Sequence, residues 1–198
     1  MSDRHQTGQW LVPSDGHRWF FDSGAISLDF GYTGDFGYGI DAWESLRSPA
    51  DLDAWLTDRF GPPRPASGAS DYAGARQLRA AITSSARRVS SGRALRVTDI
   101  DTINRWAARP AVPPHLPGGT RAPSPASPEQ MLASIAHDAI RTFTAPPGRV
   151  RECAADDCHL IFLDTSRPGS RRWCSMRRCG GRAKARTHYA RAIQGEHS

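Results

Sequence analysis

Residues 151–191 read RECAADDCHLIFLDTSRPGSRRWCSMRRCGGRAKARTHYAR and contain all four cysteines of the 198-residue chain. Cys153 and Cys158 enclose four residues, Cys174 and Cys179 enclose four more, and fifteen residues separate the two pairs. This spacing is typical of a four-cysteine zinc site, because each pair supplies two thiolates from one tight turn. We therefore predict one structural zinc ion, whose four thiolates leave no position open for water or substrate.

Other chemistry is compatible with the same four cysteines. Two disulfides would suit a secreted protein, but the start MSDRHQTGQW has no apolar signal segment, so we expect the reducing cytoplasm. A redox pair usually appears as Cys-x-x-Cys, whereas iron also accepts four thiolates in tetrahedral geometry. His159 follows Cys158 and could replace it as a ligand, although four cysteines already suffice.

The residues between and after the cysteine pairs predict a small finger. HLIFL at 159–163 indicates a strand, DTSRPGS at 164–170 a turn, and 171–173 a returning strand that completes a β-hairpin. A helix follows, beginning either at Ser175 or at Gly180-Gly181, and we expect the glycine pair to interrupt it. A cysteine knuckle, a hairpin and a terminal helix together make a treble-clef-like fold.

This segment resembles the CGNR zinc finger, which in bacterial proteins follows an N-terminal ABATE domain and is associated with stress-induced transcription regulation. The resemblance rests on these residues: Cys153, Cys158, Phe162–Ser166, Arg171–Met176 and Cys179–Lys184. One position departs from the signature, since Gly181 stands where the family has Asn. If that Asn caps the last helix, Gly should cost roughly a few tenths of a kcal/mol. If it contacts nucleic acid, that contact is lost.

The net positive charge of the chain belongs to this segment. Residues 1–148 hold 15 Arg and 15 acidic residues, whereas residues 149–198 hold 10 Arg, one Lys and 5 acidic residues. Such an excess of positive charge favours binding to the phosphate groups of nucleic acids, and arginine favours bidentate contacts to phosphate or guanine. A solvated basic surface, or a finger that binds RNA or protein, would be the alternative.

The resemblance and the charge together predict a DNA-binding transcription regulator with double-stranded DNA as its partner. The candidate contacts are Arg171, Arg172, Arg177, Arg178, Arg182, Lys184, Arg186 and Arg191. Arg182 and Lys184 lie near the helix start and are the candidate base readers, while the hairpin and late-helix arginines would hold phosphates. We expect Trp173 to belong to the hairpin core rather than to a stacking platform.

Residues 1–148 predict an α+β domain with a small antiparallel sheet and several helices, which we divide from the finger at 149–198. Strand-like runs occupy 10–12, 18–21 and 25–30. Helices are predicted to start at Ser48 and Ser127, to run over 71–89, and to start at Thr98 with Asp101 in the capping box. Seven prolines in 110–128 indicate an irregular loop. In the resemblance, 25–33 is similar to the opening strand of ABATE and 46–60 to its first helix.

The loop GYTGDFGYG at 31–39 allows two interpretations. Tyr32, Phe36 and Tyr38 either pack onto the core or form the rim of a pocket for a small-molecule effector. His137 and Asp138 are interpreted as polar-face residues of one helix. No catalytic motif is present, so we predict no enzyme, and no apolar run approaches the roughly 20 residues that cross a membrane. A homodimer is compatible with a single small finger.

Overall fold

The computed structural model describes residues 7–11, 18–116, 118–120 and 122–186. Two antiparallel sheets of two strands each and a set of helices confirm the predicted α+β class. The elements are β1 (Gln9–Leu11), β2 (Trp19–Phe21), α1 (Ile26–Gly31), a 3₁₀ turn (Asp41–Trp43), α2 (Pro49–Phe60), α3 (Ala69–Ser90), α4 (Val97–Ala107), α5 (Pro128–Phe143), β3 (Val150–Glu152) and β4 (Ile161–Leu163). A π-helical turn over Met176–Gly180 continues as a helix over 181–186, and we call the two together the terminal helix.

Two helices begin where their caps predict. The Ser48 hydroxyl accepts a hydrogen bond from the backbone N–H of Asp51, with Pro49 in the first helical position of α2. Ser127 and Gln130 form a reciprocal capping box at the start of α5. α4 differs, because its N-cap is Arg96 and Thr98 lies inside the first turn. The prediction of a Thr98 cap is therefore wrong by two residues.

The predicted strand over 25–30 is wrong, because Ile26–Gly31 form α1. All six residues of α1 are buried, so the segment has no polar face to reveal a helical period. Its N-terminus is satisfied from a distant element: the carboxylate of Asp138 on α5 accepts a hydrogen bond from the Ser27 N–H at 2.9 Å. A fully buried helix whose N-terminus is capped by another helix has the same apolar sequence pattern as a buried strand.

The helices pack around a first apolar core. Its buried members include Leu52 and Leu56 of α2, Leu78 and Ile82 of α3, Ile103 and Trp106 of α4, and Met131, Leu132 and Ile135 of α5. His137 is part of this packing, since its Nε2 lies 2.6 Å from the carbonyl oxygen of Ala107 at the end of α4. His137 and Asp138, both half-buried, thus tie α5 to two other helices.

The proline-rich loop is irregular, as predicted, across the residues that the structure describes. It runs as a strap over the helices, where Val112 donates its N–H to the Ser134 hydroxyl at 2.9 Å and Ala126 accepts from the N–H of Arg64 at 2.9 Å. Among the described helices, none combines the length and apolar character needed to cross a membrane.

A second core joins the two ends of the chain, and we call it the shared core. From the N-terminal part it takes Leu11, Phe21, Leu28, Tyr32, Phe36 and Ala86, and from the finger Val150, Leu160, Ile161, Phe162, Cys153, Cys174 and Cys179. The cysteine-bearing segment is therefore packed against the N-terminal elements. The division of domains at residue 148 stays a prediction.

Asp29 is a buried carboxylate beneath the first hairpin. It accepts hydrogen bonds from the Ser23 hydroxyl and from the Gly8 N–H, both at 2.6 Å. Burial raises the pKa of Asp29 to about 6, against the opposing effect of these bonds and of Arg59. The folded chain therefore holds this proton to a higher pH than the unfolded chain does.

The raised pKa of Asp29 predicts that the stability of the protein depends on pH. The contribution of Asp29 is fully present below its unfolded pKa of about 4 and is lost as the pH rises through about 6. Relative to Asp29→Asn, the wild-type free energy of unfolding should fall by about 3 kcal/mol across this window. Denaturant titrations at several pH values measure the difference. Asp101→Asn, at an exposed position of α4, is the control, and an Asp29→Asn profile parallel to wild type would contradict the assignment.

Candidate zinc centre and its basic surface

The first cysteine pair lies in the loop of a β-hairpin. β3 and β4 pair antiparallel in the register Val150 with Leu163, Arg151 with Phe162 and Glu152 with Ile161. The predicted return strand over 171–173 is wrong, because β4 takes β3 as its partner. The reason is the turn around Asp164, whose carboxylate accepts from the N–H groups of Ser166 at 2.9 Å and Arg171 at 2.8 Å. This turn directs the chain out of the sheet and toward the first cysteine pair, where Ala154 donates to the Arg172 carbonyl at 2.9 Å.

The four sulfur atoms form one compact cluster. All four Sγ atoms lie within 4.8 Å of one another, with Cys158 to Cys174 at 3.6 Å and Cys174 to Cys179 at 3.5 Å. Tetrahedral zinc with Zn–S bonds of about 2.3 Å requires sulfur separations of about 3.8 Å. A disulfide requires about 2.05 Å, and all four cysteines are free. The cluster fits one structural zinc ion, with three of its cysteines buried and Cys158 half-buried.

His159 does not join the cluster. Its Nδ1 lies 2.7 Å from a carboxylate oxygen of Glu152, and its side chain is mostly exposed. The four-cysteine ligand set predicted from the spacing therefore needs no histidine.

The close spacing of the thiols perturbs their protonation. Hydrogen bonds from Cys158 and Cys174 lower the pKa of Cys153 to about 2. The same sharing with Cys153 raises the pKa of Cys158 to about 12 and raises the pKa of Cys174 as well. Several thiolates this close repel one another, so they can coexist only around a divalent cation that displaces their protons.

The second cysteine pair is set by the start of the terminal helix. The Ser175 hydroxyl accepts a hydrogen bond from the Arg178 N–H at 3.4 Å, and Gly180 donates to the Ser175 carbonyl at 3.0 Å to close the π-helical turn. Ser175 is thus the N-cap, which is one of the two predicted starts.

The glycine pair does not interrupt this helix, contrary to expectation. Gly181 has helical angles of φ −63° and ψ −46°, so the position is helix interior rather than cap. A Cβ on Gly180 would lie 2.9 Å from the Met176 sulfur and 3.1 Å from Trp173 Cδ1, so a larger residue there would displace the exposed Met176 side chain. A Cβ on Gly181 would meet nothing closer than the Met176 carbonyl oxygen at 3.6 Å. The family's Asn would fit this position without acting as the helix cap.

Arg182 faces the sulfur cluster. One guanidinium nitrogen donates to Cys179 Sγ at 3.3 Å, and another lies 3.0 Å from the Asp157 carboxylate in the first cysteine turn. The hydrogen bond to Cys179 raises the pKa of Arg182. Arg182 therefore connects both cysteine turns and offsets part of the thiolate charge. The sequence predicted Arg182 as a DNA contact without showing which way this arginine points, and that contact stays a prediction.

This geometry predicts that Arg182→Gln weakens zinc binding. Loss of a group that supports a metal ligand typically lowers metal affinity about 10- to 100-fold. Competition between the full chain and a chromophoric chelator measures the change. Arg177→Gln is the matched control, because Arg177 lies on the same turn and is exposed. Equal zinc affinities for the two variants would contradict the role given to Arg182.

The other candidate arginines fall into two groups. Arg171 and Arg178 reach the N-terminal hairpin: Arg171 donates to the Asp22 carbonyl at 3.0 Å, and the Arg178 guanidinium lies 5.0 Å from the ring centroid of Trp19. The exposed group consists of Arg172, Arg177, Lys184 and Arg186. Arg172 stacks on Trp173 at 5.0 Å. Arg191 lies outside the described residues.

Comparison with protein families gives two matches. The ABATE model, described as "Putative stress-induced transcription regulator", matches residues 24–146, which is more than half of the chain. The chain belongs to the ABATE family. In this ABATE protein the CGNR zinc finger matches residues 149–192, the segment that carries the sulfur cluster. Comparison with curated proteins finds no match.

The glycine-rich loop of the ABATE protein is bonded to the finger. The Tyr32 hydroxyl donates to the Ile161 carbonyl at 3.0 Å and accepts from the Ile161 N–H at 2.7 Å, so it satisfies both backbone groups of a β4 residue. The Tyr38 hydroxyl donates to the His159 carbonyl, next to Cys158. Tyr32 and Phe36 are buried, and their use as a pocket rim stays a prediction. The sequence allowed these aromatic residues either to pack on the core or to form a pocket rim, and no local rule identifies partners about 130 residues away.

Proposed function

We propose that this ABATE protein is a transcription regulator whose finger binds double-stranded DNA. The proposal rests on the four exposed cations Arg172, Arg177, Lys184 and Arg186. Within the described residues, none of the four is paired with a carboxylate. Unpaired, solvated cations on a rigid zinc-bound module suit phosphate, because release of condensed counterions drives such contacts.

The zinc ion and the internal arginines have a supporting role in this proposal. Zinc fixes the second cysteine turn, from which the terminal helix carries Lys184 and Arg186 into solvent. Arg182 acts through the zinc centre, so Lys184, in the part of the terminal helix that follows the glycine pair, remains the candidate base reader. Arg191 remains a candidate phosphate contact. DNA regulation would take place in the cytoplasm, the compartment expected from the reduced cysteines.

The test uses the zinc-loaded full chain, fluorescent random-sequence duplex DNA and matched charge variants. Arg177→Ala/Arg186→Ala removes two positive charges from the finger, and Arg96→Ala/Arg105→Ala removes two exposed charges from the α4 region. We expect the finger variant to bind about tenfold more weakly and the control to bind as wild type does. Chelation should abolish binding.

Three outcomes would count against the proposal. Equal weakening by both double variants would show that only the net charge matters, not the finger surface. Retention of full affinity for DNA after chelation would show that the finger is not the binding module. Tighter binding to duplex RNA than to duplex DNA would favour RNA as the partner instead.

A further inference from the structure

An open groove lies between α3 and the glycine-rich loop at 31–39. It has a volume of about 620 Å³, within the range of small-molecule sites. Its walls include Gly31 and Gly34 of the loop, Ala73 and Ala80 of α3, and an edge of Phe36. These residues form an apolar floor, and Asp35, Arg76, Gln77, Arg79 and Thr83 add polar side chains to the lining.

The charge at the groove comes from α3. Arg79 is neutralised by Glu44 through two hydrogen bonds of 2.8 and 2.6 Å, and Asp35 is occupied by the N–H groups of Gly37, Gly39 and Ile40. Arg76 is exposed and, among the described residues, has no carboxylate partner. Its guanidinium lies 5.9 Å from the ring centroid of Tyr72 at the groove wall. The Arg76 guanidinium, which forms no salt bridge among the described residues although its charge acts on Glu44, lies beside this apolar floor and complements an organic anion with an apolar body.

Phe36 connects the groove to the zinc finger. Its ring stacks on Tyr32 at 4.2 Å and on Tyr38 at 6.2 Å between centroids. Those two tyrosines hold the backbone at Ile161 and His159, on the segment that begins at Cys158. Phe36 also has a φ of 57°, a conformation that non-glycine residues rarely adopt. Strained residues of this kind occur where a segment has a functional role.

We propose that the groove binds a small aromatic carboxylate and that its occupancy is transmitted through Phe36, Tyr32 and Tyr38 to the zinc finger. The carboxylate pairs with Arg76, and the ring lies on the floor formed by the loop glycines and the α3 alanines. A ligand that holds the loop in place holds both tyrosines on the finger backbone. This inference does not depend on DNA binding, and its tests contain no DNA.

Binding is tested with benzoate on the zinc-loaded full chain by two-dimensional amide NMR. We expect millimolar benzoate to shift the amides of Gly31, Gly34 and Gln77, while benzamide, which is neutral and of the same shape, shifts them much less. Arg76→Ala should remove the benzoate response, and Arg105→Ala should keep it. Equal responses to benzoate and benzamide, or an unchanged response in Arg76→Ala, would overturn the site.

Transmission is tested by the rate of zinc transfer to a chromophoric chelator. If the loop must detach before zinc leaves, benzoate at about ten times its Kd should slow the transfer about tenfold. Tyr38→Phe, which removes one hydroxyl and keeps the ring, should bind benzoate normally but show a smaller slowing. An unchanged transfer rate with benzoate bound would contradict transmission from the groove to the zinc centre. If benzoate slowed zinc transfer in Tyr38→Phe as much as in wild type, the role of Tyr38 in that transmission would be contradicted.

Discussion

Removal of zinc is expected to unfold residues at both ends of the chain, because Cys153, Cys174 and Cys179 belong to the shared core together with Leu11, Phe21 and Leu28. Structural zinc contributes on the order of 10–16 kcal/mol of apparent binding free energy in finger peptides. Without zinc, the four thiols are no longer held together. The apolar N-terminal residues that pack against the finger in the shared core then become exposed to water. Chelation should therefore produce the largest loss of stability that any single change can cause.

Hydrogen exchange measured before and after chelation tests this expectation. Protection should fall at Ile161 and Phe162 in the finger and also at Phe21 and Leu28 in the N-terminal part. Addition of zinc should restore both regions, and Cys174→Ser should resemble the chelated protein. Loss of protection in the finger alone would show that the N-terminal core is stable by itself.

Tyr32→Phe is expected to have the second-largest effect. The hydroxyl is buried and satisfies both the N–H and the carbonyl of Ile161. Its removal leaves two buried backbone groups unpaired, at about 1–3 kcal/mol each, so the free energy of unfolding should fall by about 2–6 kcal/mol. Since Ile161 lies three residues after Cys158, zinc transfer to a chelator should also become faster.

Tyr72→Phe is the matched control for this substitution. The Tyr72 hydroxyl makes one hydrogen bond, at 3.0 Å to the Leu46 carbonyl, inside the N-terminal part. It should cost about 1 kcal/mol and leave the zinc transfer rate unchanged. If Tyr32→Phe shifted stability no more than this control, the proposed bond between loop and finger would be contradicted.

Local rules in the sequence predicted what is local in the structure. The caps at Ser48 and Ser127 and the sulfur cluster follow from spacings of a few residues. The wrong predictions concern elements whose structure depends on a residue far away in the sequence. α1 is capped by Asp138, which lies 111 residues from Ser27 in sequence, and β4 chooses β3 instead of the segment after the turn.

The candidate site shows the same division. The sequence located an arginine excess but not the direction of each guanidinium. Arg182 points to Cys179, Arg171 to the Asp22 carbonyl and Arg178 to Trp19. Orientation on this scale depends on how the finger packs against the hairpin, which no periodicity encodes.

The salt dependence of DNA binding tests the central claim most directly. With Arg172, Arg177, Arg186 and Arg191 each neutralising one phosphate, the logarithm of the association constant of the zinc-loaded chain should fall with a slope of about −3.6 against the logarithm of salt concentration. Arg177→Ala/Arg186→Ala should reduce that slope by about half, whereas Arg96→Ala/Arg105→Ala should leave it unchanged. A slope near zero for the wild-type chain, or the same slope for the finger variant, would contradict a phosphate-binding finger.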